Sequence, residues 1–191
     1  MKNFVILLLL AFTIGCEQYP NTFKACVNYL EPGDQYCGTG FFIDFDTVVT
    51  AAHIIDESED NILTAVGPGE NETFYDFDRI DNEVDVIVAK GQHDITTDIC
   101  PICPDVKTNS EVIILGNPTR FKSPEIRTGI LRATSSLKKH LYIEGEAPEG
   151  FSGGPIIETE RNCVIGSVIG QWLQKDGWTK AANLTELLKD E

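Results

Sequence analysis

A serine hydroxyl, an imidazole and a carboxylate stand in three separated fragments of this 191-residue chain: Thr50-Ala51-Ala52-His53, Val84-Asp85-Val86 and Gly150-Phe151-Ser152-Gly153-Gly154-Pro155. A serine hydroxyl is a poor nucleophile near neutral pH. It becomes an effective one when an imidazole takes its proton and a carboxylate orients that imidazole. His53 is the candidate base, Asp85 the candidate orienting acid and Ser152 the candidate nucleophile. Gly150, Gly153 and Gly154 leave the backbone around Ser152 open to a carbonyl group. The N–H groups of Gly150 and Ser152 are the expected donors to the negative charge that develops on its oxygen. Losing one such donor costs roughly 2.7 to 4 kcal/mol of transition-state stabilisation.

The flanking residues say which elements hold these groups. His53 follows the β-branched run Thr47-Val48-Val49-Thr50 and two alanines, a pattern that predicts a strand entering a tight helical turn. Asp85 lies in Val84-Asp85-Val86-Ile87-Val88-Ala89, which reads as a strand. A lone carboxylate there is costly to bury without a hydrogen-bond partner, and His53 is the natural one. Further short β-rich runs fall at residues 23–30, 36–43, 62–66, 112–115, 126–133, 141–144, 155–159 and 164–169, punctuated by Gly, Pro, Asn and Asp. That spacing predicts an all-β chain. One terminal helix is expected, with Asn183 as its cap, Glu186 completing a capping box, and Leu184, Leu187 and Leu188 as its apolar stripe.

Each fragment taken singly is common in unrelated proteins. The chain order His, Asp, Ser is more specific, because other serine hydrolases arrange the same parts differently. With that order the chain resembles a trypsin/chymotrypsin-fold serine peptidase, and within that group it is most similar to the HtrA-like (Deg-like) branch without PDZ. Gly38-Thr39-Gly40-Phe41-Phe42-Ile43, Val112-Ile113-Ile114-Leu115-Gly116-Asn117-Pro118 and Thr128-Gly129-Ile130-Leu131 also match, so the likeness covers roughly residues 23 to 189. The resemblance implies two antiparallel six-stranded β-barrels with a cleft between them, His53 and Asp85 from the first and Ser152 from the second. It implies a serine endopeptidase that acts through an acyl-enzyme on polypeptide substrates with neither cofactor nor metal. It places the substrate pocket near Glu146, Ala147, Val168, Ile169, Gly170 and Gln171. There Glu146 either favours a Lys or Arg side chain or is an exposed loop residue.

Two departures limit the transfer. Phe151 stands where digestive relatives carry an aspartate that pairs with a freshly cut N-terminus, so activation by that salt bridge is not expected. The residues after Ser152 are too few for the PDZ module usual in HtrA-type enzymes. An alternative from another class remains: a catalytically silent, protease-like lipoprotein that binds peptide or interacts with a host.

The N-terminus and the charge bound the setting. Met1-Lys2-Asn3 precedes an apolar segment, residues 4–14, too short for a membrane span and suited to an export signal. Gly15-Cys16 resembles a lipoprotein cleavage site. The expected organisation is a signal over 1–15, lipid attachment at Cys16, a tether over 16–22 and one peptidase domain over 23–191. Such a protein sits on a bacterial-type cell envelope, anchored to the membrane through Cys16; with an ordinary secretory signal it is secreted. The net charge of −15 argues against nucleic acid as a partner. The acidic residues of 56–60 and 70–83 read as solvated surface, or less simply as an attraction for basic substrates.

Export permits disulfides among Cys26, Cys37, Cys100, Cys103 and Cys163. The resemblance places a bridge from Cys37 to a cysteine just after the histidine, but Ile54 and Ile55 occupy that region, so that bridge is not expected. Cys26 is one candidate as a replacement partner for Cys37. Cys100-Pro101-Ile102-Cys103 falls between the expected barrels. It is open to a local or long-range disulfide, to buried thiols, or to the structural zinc that some viral relatives carry near that connection, with His93 and Cys163 as further ligands.

Overall fold

The computed structural model describes residues 22–28, 35–44, 47–54, 62–66, 72–76, 79–81, 83–90, 99–117 and 124–189. The expected signal, Cys16, its tether, the acidic run 56–60 and His93 lie outside them. The first half carries β1 (Thr22–Asn28), β2 (Gln35–Phe42), β3 (Thr47–Ala51), β4 (Ile62–Val66), β5 (Glu72–Asp76), β6 (Arg79–Asp81) and β7 (Val86–Lys90). These pair antiparallel as one seven-stranded sheet in the order β5-β4-β1-β2-β3-β7-β6, and β5 near one edge also approaches β7 near the other. The second half carries β8 (Glu111–Gly116), β9 (Glu125–Thr134), β10 (His140–Glu144), β11 (Pro155–Glu158), β12 (Cys163–Gln171), β13 (Trp178–Asn183) and the short helix α1 (Leu184–Leu187). Its six strands close into a barrel in the order β10-β13-β12-β11-β8-β9.

The all-β expectation holds, but β5, β6 and β13 carry no strand signal strong enough to be read beforehand. β5 and β6 lie in an acidic stretch that resembles solvated loop. β13, Trp-Thr-Lys-Ala-Ala-Asn, has little β-branched content, and tertiary pairing decides its state. It pairs with β10 on one side and β12 on the other, so the barrel closes through it.

Apolar alternation builds two clusters. Val112, Ile114, Leu131, Leu141, Ile143, Ile156, Ile165 and Phe151 fill the second barrel. A second cluster joins the halves: Phe41, Val49, Val84, Val86 and Val88 from the first meet Leu115, Ile157, Val164 and Leu184 from the second. Each large side chain fully buried there stabilises the fold by about 1.5 to 3 kcal/mol. The two halves therefore share one buried core.

The described part of the connection between the halves, residues 99–110, is pinned to the second barrel. Cys103 forms a disulfide with Cys163, 60 residues away, and Ile102 bridges Val164 alongside β12. Closing a loop of this length stabilises by about 4 kcal/mol in the chain-entropy account. The bond is thus long-range, neither internal to Cys100–Cys103 nor left as thiols. Cys37 and Cys100 are disulfide-bonded as well, and the β1–β2 register sets Cys26 opposite Cys37.

The helix start matches half of its expected cap. The Asn183 side chain accepts from the Glu186 N–H at 3.4 Å. The reciprocal bond of a capping box is not formed, because the Asn183 N–H donates to the Lys139 carbonyl and Glu186 pairs with Lys189.

Beside this junction His140 is held below the usual histidine range by burial first and by the Lys180 and Lys139 charges, with Glu83 opposing. The unfolded chain therefore takes up this proton more readily than the folded one, so stability falls as pH drops through the ordinary histidine value toward the lowered one. The urea midpoint is expected to decrease between pH 7.5 and 5.5, and His140→Gln should flatten that dependence.

Candidate active site

Strand pairing brings His53 and Asp85 together. The β3–β7 register ends with Ala51 opposite Val86, so the residues just after β3 and just before β7 must meet. His53 occupies a 3₁₀ turn, Ala52–Ile54, that follows β3, as its sequence suggests. Asp85 is not in a strand. It closes a turn ahead of β7 at φ +57°, a left-handed conformation that aspartate tolerates better than most residues. Its Oδ1 accepts from the His53 backbone N–H at 2.8 Å and its Oδ2 from His53 Nδ1 at 2.8 Å. The Asp85 carbonyl accepts from the Ala52 N–H. The imidazole is thereby fixed with Nδ1 inward and Nε2 turned away from the carboxylate. The two side chains keep 30% and 26% of their surface, enough for contact with solvent.

Ser152 comes from the other half, in the loop between β10 and β11. Its backbone lies against β2, and that of Gly153 against β3, the strand that leads to His53. The Ser152 carbonyl accepts from the Thr39 N–H at 2.7 Å, and a Cβ on Gly153 would fall 2.5 Å from Thr50 Oγ1 and 2.7 Å from the Ala51 nitrogen. The half-buried Ser152 hydroxyl donates to the Ile169 carbonyl at 3.3 Å.

The carbonyls of Gly150, Phe151 and Ser152 are all engaged. Gly150 bonds Thr39 Oγ1 at 2.7 Å, Phe151 the Gly154 N–H at 2.8 Å, and Ser152 the Thr39 N–H. The N–H groups of Phe151, Gly153 and Gly154 are used internally, whereas those of Gly150 and Ser152 donate to no acceptor among the described residues. Phe151 is fully buried, and its ring fills the space where Gly116 lacks a side chain; a Cβ there would be 2.3 Å from it. The loop is held by apolar packing where the digestive relatives use an ion pair.

The six residues expected to shape a pocket fall into two groups. Ala147 and Val168 are buried in the second-barrel core, and Val168 holds the Ser152 loop by backbone bonds to Gly153 and Gly154. Ile169 and Gly170 are half-exposed, and Glu146 and Gln171 are exposed. Gln171 Nε2 donates to Glu146 Oε1 at 3.4 Å, linking the two walls. Among the described residues one cluster has metal-ligand side chains within 4.8 Å of each other, Cys103, Glu158 and Cys163, but both its sulfurs are committed to the disulfide. Thr39 is the residue whose part in the site was not anticipated. Its only sequence signal is a hydroxyl between two glycines, in Gly38-Thr39-Gly40.

A β-rich chain with a closed six-stranded barrel, a His–Asp pair after β3 and a glycine-rich serine loop packed against β2 and β3 has the features of the trypsin-like class. The model of the trypsin-like peptidase domain matches residues 38–166, and the chain belongs to that family. Its fold is also that of HtrA-type enzymes. A serine endoprotease from Yersinia pestis superposes with a TM-score of 0.73 at 19% identity, over 89% of this chain and 61% of that one. The HtrA-type protease AlgW, solved with a tripeptide, gives 0.72 at 16% identity over 93% and 60%. The Rv3671c protease from M. tuberculosis, in its active form, gives 0.73 at 22% identity over 88% and 78%. The chain thus spans about three-fifths of the first two. No curated protein matches it.

Proposed function

We propose that this protein is a serine endopeptidase that hydrolyses peptide bonds through an acyl-enzyme on Ser152. The observation that carries the reading is the double grip of Asp85 on His53 beside the loop that bears Ser152. With Nδ1 committed to Asp85, Nε2 is the nitrogen left to accept the Ser152 proton as Oγ attacks the scissile carbonyl. The resulting oxyanion is received by the N–H groups of Gly150 and Ser152. His53 then passes its proton to the leaving amine, and a water activated by the same nitrogen releases the acyl group. A carboxylate at Glu146 on the rim favours Lys or Arg ahead of the cut, which a peptide library would read as enrichment of basic over acidic residues.

The wider organisation is proposed from the sequence: export by the segment 1–15, a lipid on Cys16, a tether to residue 22 and a single peptidase domain from residue 23. Among the described residues no helix is long and apolar enough to cross a membrane.

A second reading, a silent peptide binder, is favoured by one observation: the Ser152 hydroxyl points its hydrogen bond at the Ile169 carbonyl. A fluorophosphonate probe separates the two. Labelling of the folded protein that disappears in Ser152→Ala is the result expected of the enzyme. A folded protein that takes up no label is a binder.

A further inference from the structure

We propose that Thr39 is a positioning residue for the oxyanion-binding loop, an inference that rests on the peptidase reading above. Thr39 is fully buried in β2 of the first half, yet all of its polar groups are used across or beside the cleft. Its hydroxyl donates to the Gly150 carbonyl and accepts from the Asn117 N–H, each at 2.7 Å. Its N–H donates to the Ser152 carbonyl at 2.7 Å, and its carbonyl accepts from Thr50 Oγ1, three residues before His53, at 2.8 Å. One side chain and its own backbone therefore tie together the histidine-bearing strand, the nucleophile loop and the start of the second barrel.

The hydroxyl matters because of where glycine falls. The plane that contains the Ser152 N–H is set locally, since its carbonyl, that of Phe151, accepts from Gly154. The Gly150 N–H has no such local restraint. Gly150 sits at φ +85° with no side chain to limit rotation, and its following peptide plane is anchored through the Gly150 carbonyl to Thr39 Oγ1. The Gly150 N–H lies in the preceding plane, with the Glu149 carbonyl, and the two planes meet at the Gly150 Cα. Without the Thr39 bond the following plane keeps only the Phe151 N–H to Pro148 carbonyl bond. The Gly150 φ then loses part of its hold and the Gly150 donor loses its aim, whereas the Ser152 donor keeps its own. The Thr39 hydroxyl touches no reacting atom and acts on the loop through the Gly150 carbonyl.

The test compares Thr39→Val, which keeps the shape and removes the hydroxyl, with Thr39→Ser, which keeps the hydroxyl and removes a methyl. Hydrolysis of p-nitrophenyl acetate is followed with active sites counted from the burst, so that misfolded molecules do not enter the rate. Thr39→Val is expected to turn over about 10- to 100-fold more slowly per titrated site, as misplacement of a reacting group commonly costs. Thr39→Ser should remain within about threefold of the wild type, because the donor is retained. Should Thr39→Val fail to fold, Thr39→Cys, a weaker donor, is compared with Thr39→Ser and is expected to be slower by about tenfold. Equal rates per titrated site for hydroxyl-bearing and hydroxyl-lacking variants would overturn the proposal. So would a Thr39→Ser enzyme as slow as Thr39→Val. A wild-type protein unreactive toward fluorophosphonate would instead remove the peptidase reading itself.

Discussion

Asp85→Asn is expected to lower kcat about 10⁴-fold while leaving the protein folded, the size of loss seen when the orienting acid of such a triad is made neutral. The effect follows from which atoms face each other. Asparagine can keep Oδ1 as acceptor for the His53 backbone N–H, and it tolerates the left-handed conformation at φ +57° as aspartate does. Where Oδ2 accepted from Nδ1, however, an NH₂ group now faces the ring. Nδ1 must then be the acceptor, the ring proton moves to Nε2, and the nitrogen that should receive the Ser152 proton is already protonated. The imidazolium also loses the carboxylate that stabilises it during attack. Turnover of an ester or peptide substrate, measured beside thermal melting, checks both halves of the expectation. Wild-type turnover in a folded Asp85→Asn protein would show that His53 is not the base.

Gly153→Ala is expected to destabilise the fold by more than about 4 kcal/mol, the range reserved for a named steric or polar failure in a packed site. Two costs add. The residue sits at φ +84°, where a side chain is strained, and its Cβ would lie 2.1 Å from the Thr39 carbonyl oxygen as well as against Thr50 and Ala51. Most of these are backbone or β-branched neighbours that cannot swing aside, so either the nucleophile loop or β2 and β3 must separate. Two controls apportion the loss. At Gly177, with φ +71° and open space around it, alanine should cost about 1 kcal/mol for the backbone alone. At Gly170, with no close neighbour and no positive φ, alanine should be near neutral. Urea midpoints of the three variants give the comparison. A Gly153→Ala protein as stable as Gly177→Ala would show that the loop is not wedged against the histidine strand.

The candidate nucleophile, base and acid were legible because their chemistry needs particular residue types in a particular order. The small residues around them are constrained by the same need for open approach. The turn at Asp85 was less legible. β-branched neighbours on both sides read as strand, whereas the pairing of Ala51 with Val86 ends the strand one residue after Asp85 and bends the chain there. The capping box at α1 failed for a related reason. The Asn183 N–H that Glu186 would have satisfied is taken by the Lys139 carbonyl, next to the start of the neighbouring strand β10 and 44 residues away along the chain.

By itself, then, the amino-acid order determined the β-rich class, the glycine-framed serine, and a histidine and aspartate suited to serve it. These follow from local rules of side-chain chemistry, alternation and turn preference. Tertiary structure alone decided that Cys103 bonds Cys163, that an acidic stretch and an unpromising Trp-Thr-Lys-Ala-Ala-Asn segment become strands, and that Thr39 reaches Gly150 across the cleft. Each of those depends on which distant backbone groups lie opposite one another. That is settled by strand register and barrel closure, which have no short-range signature along the chain.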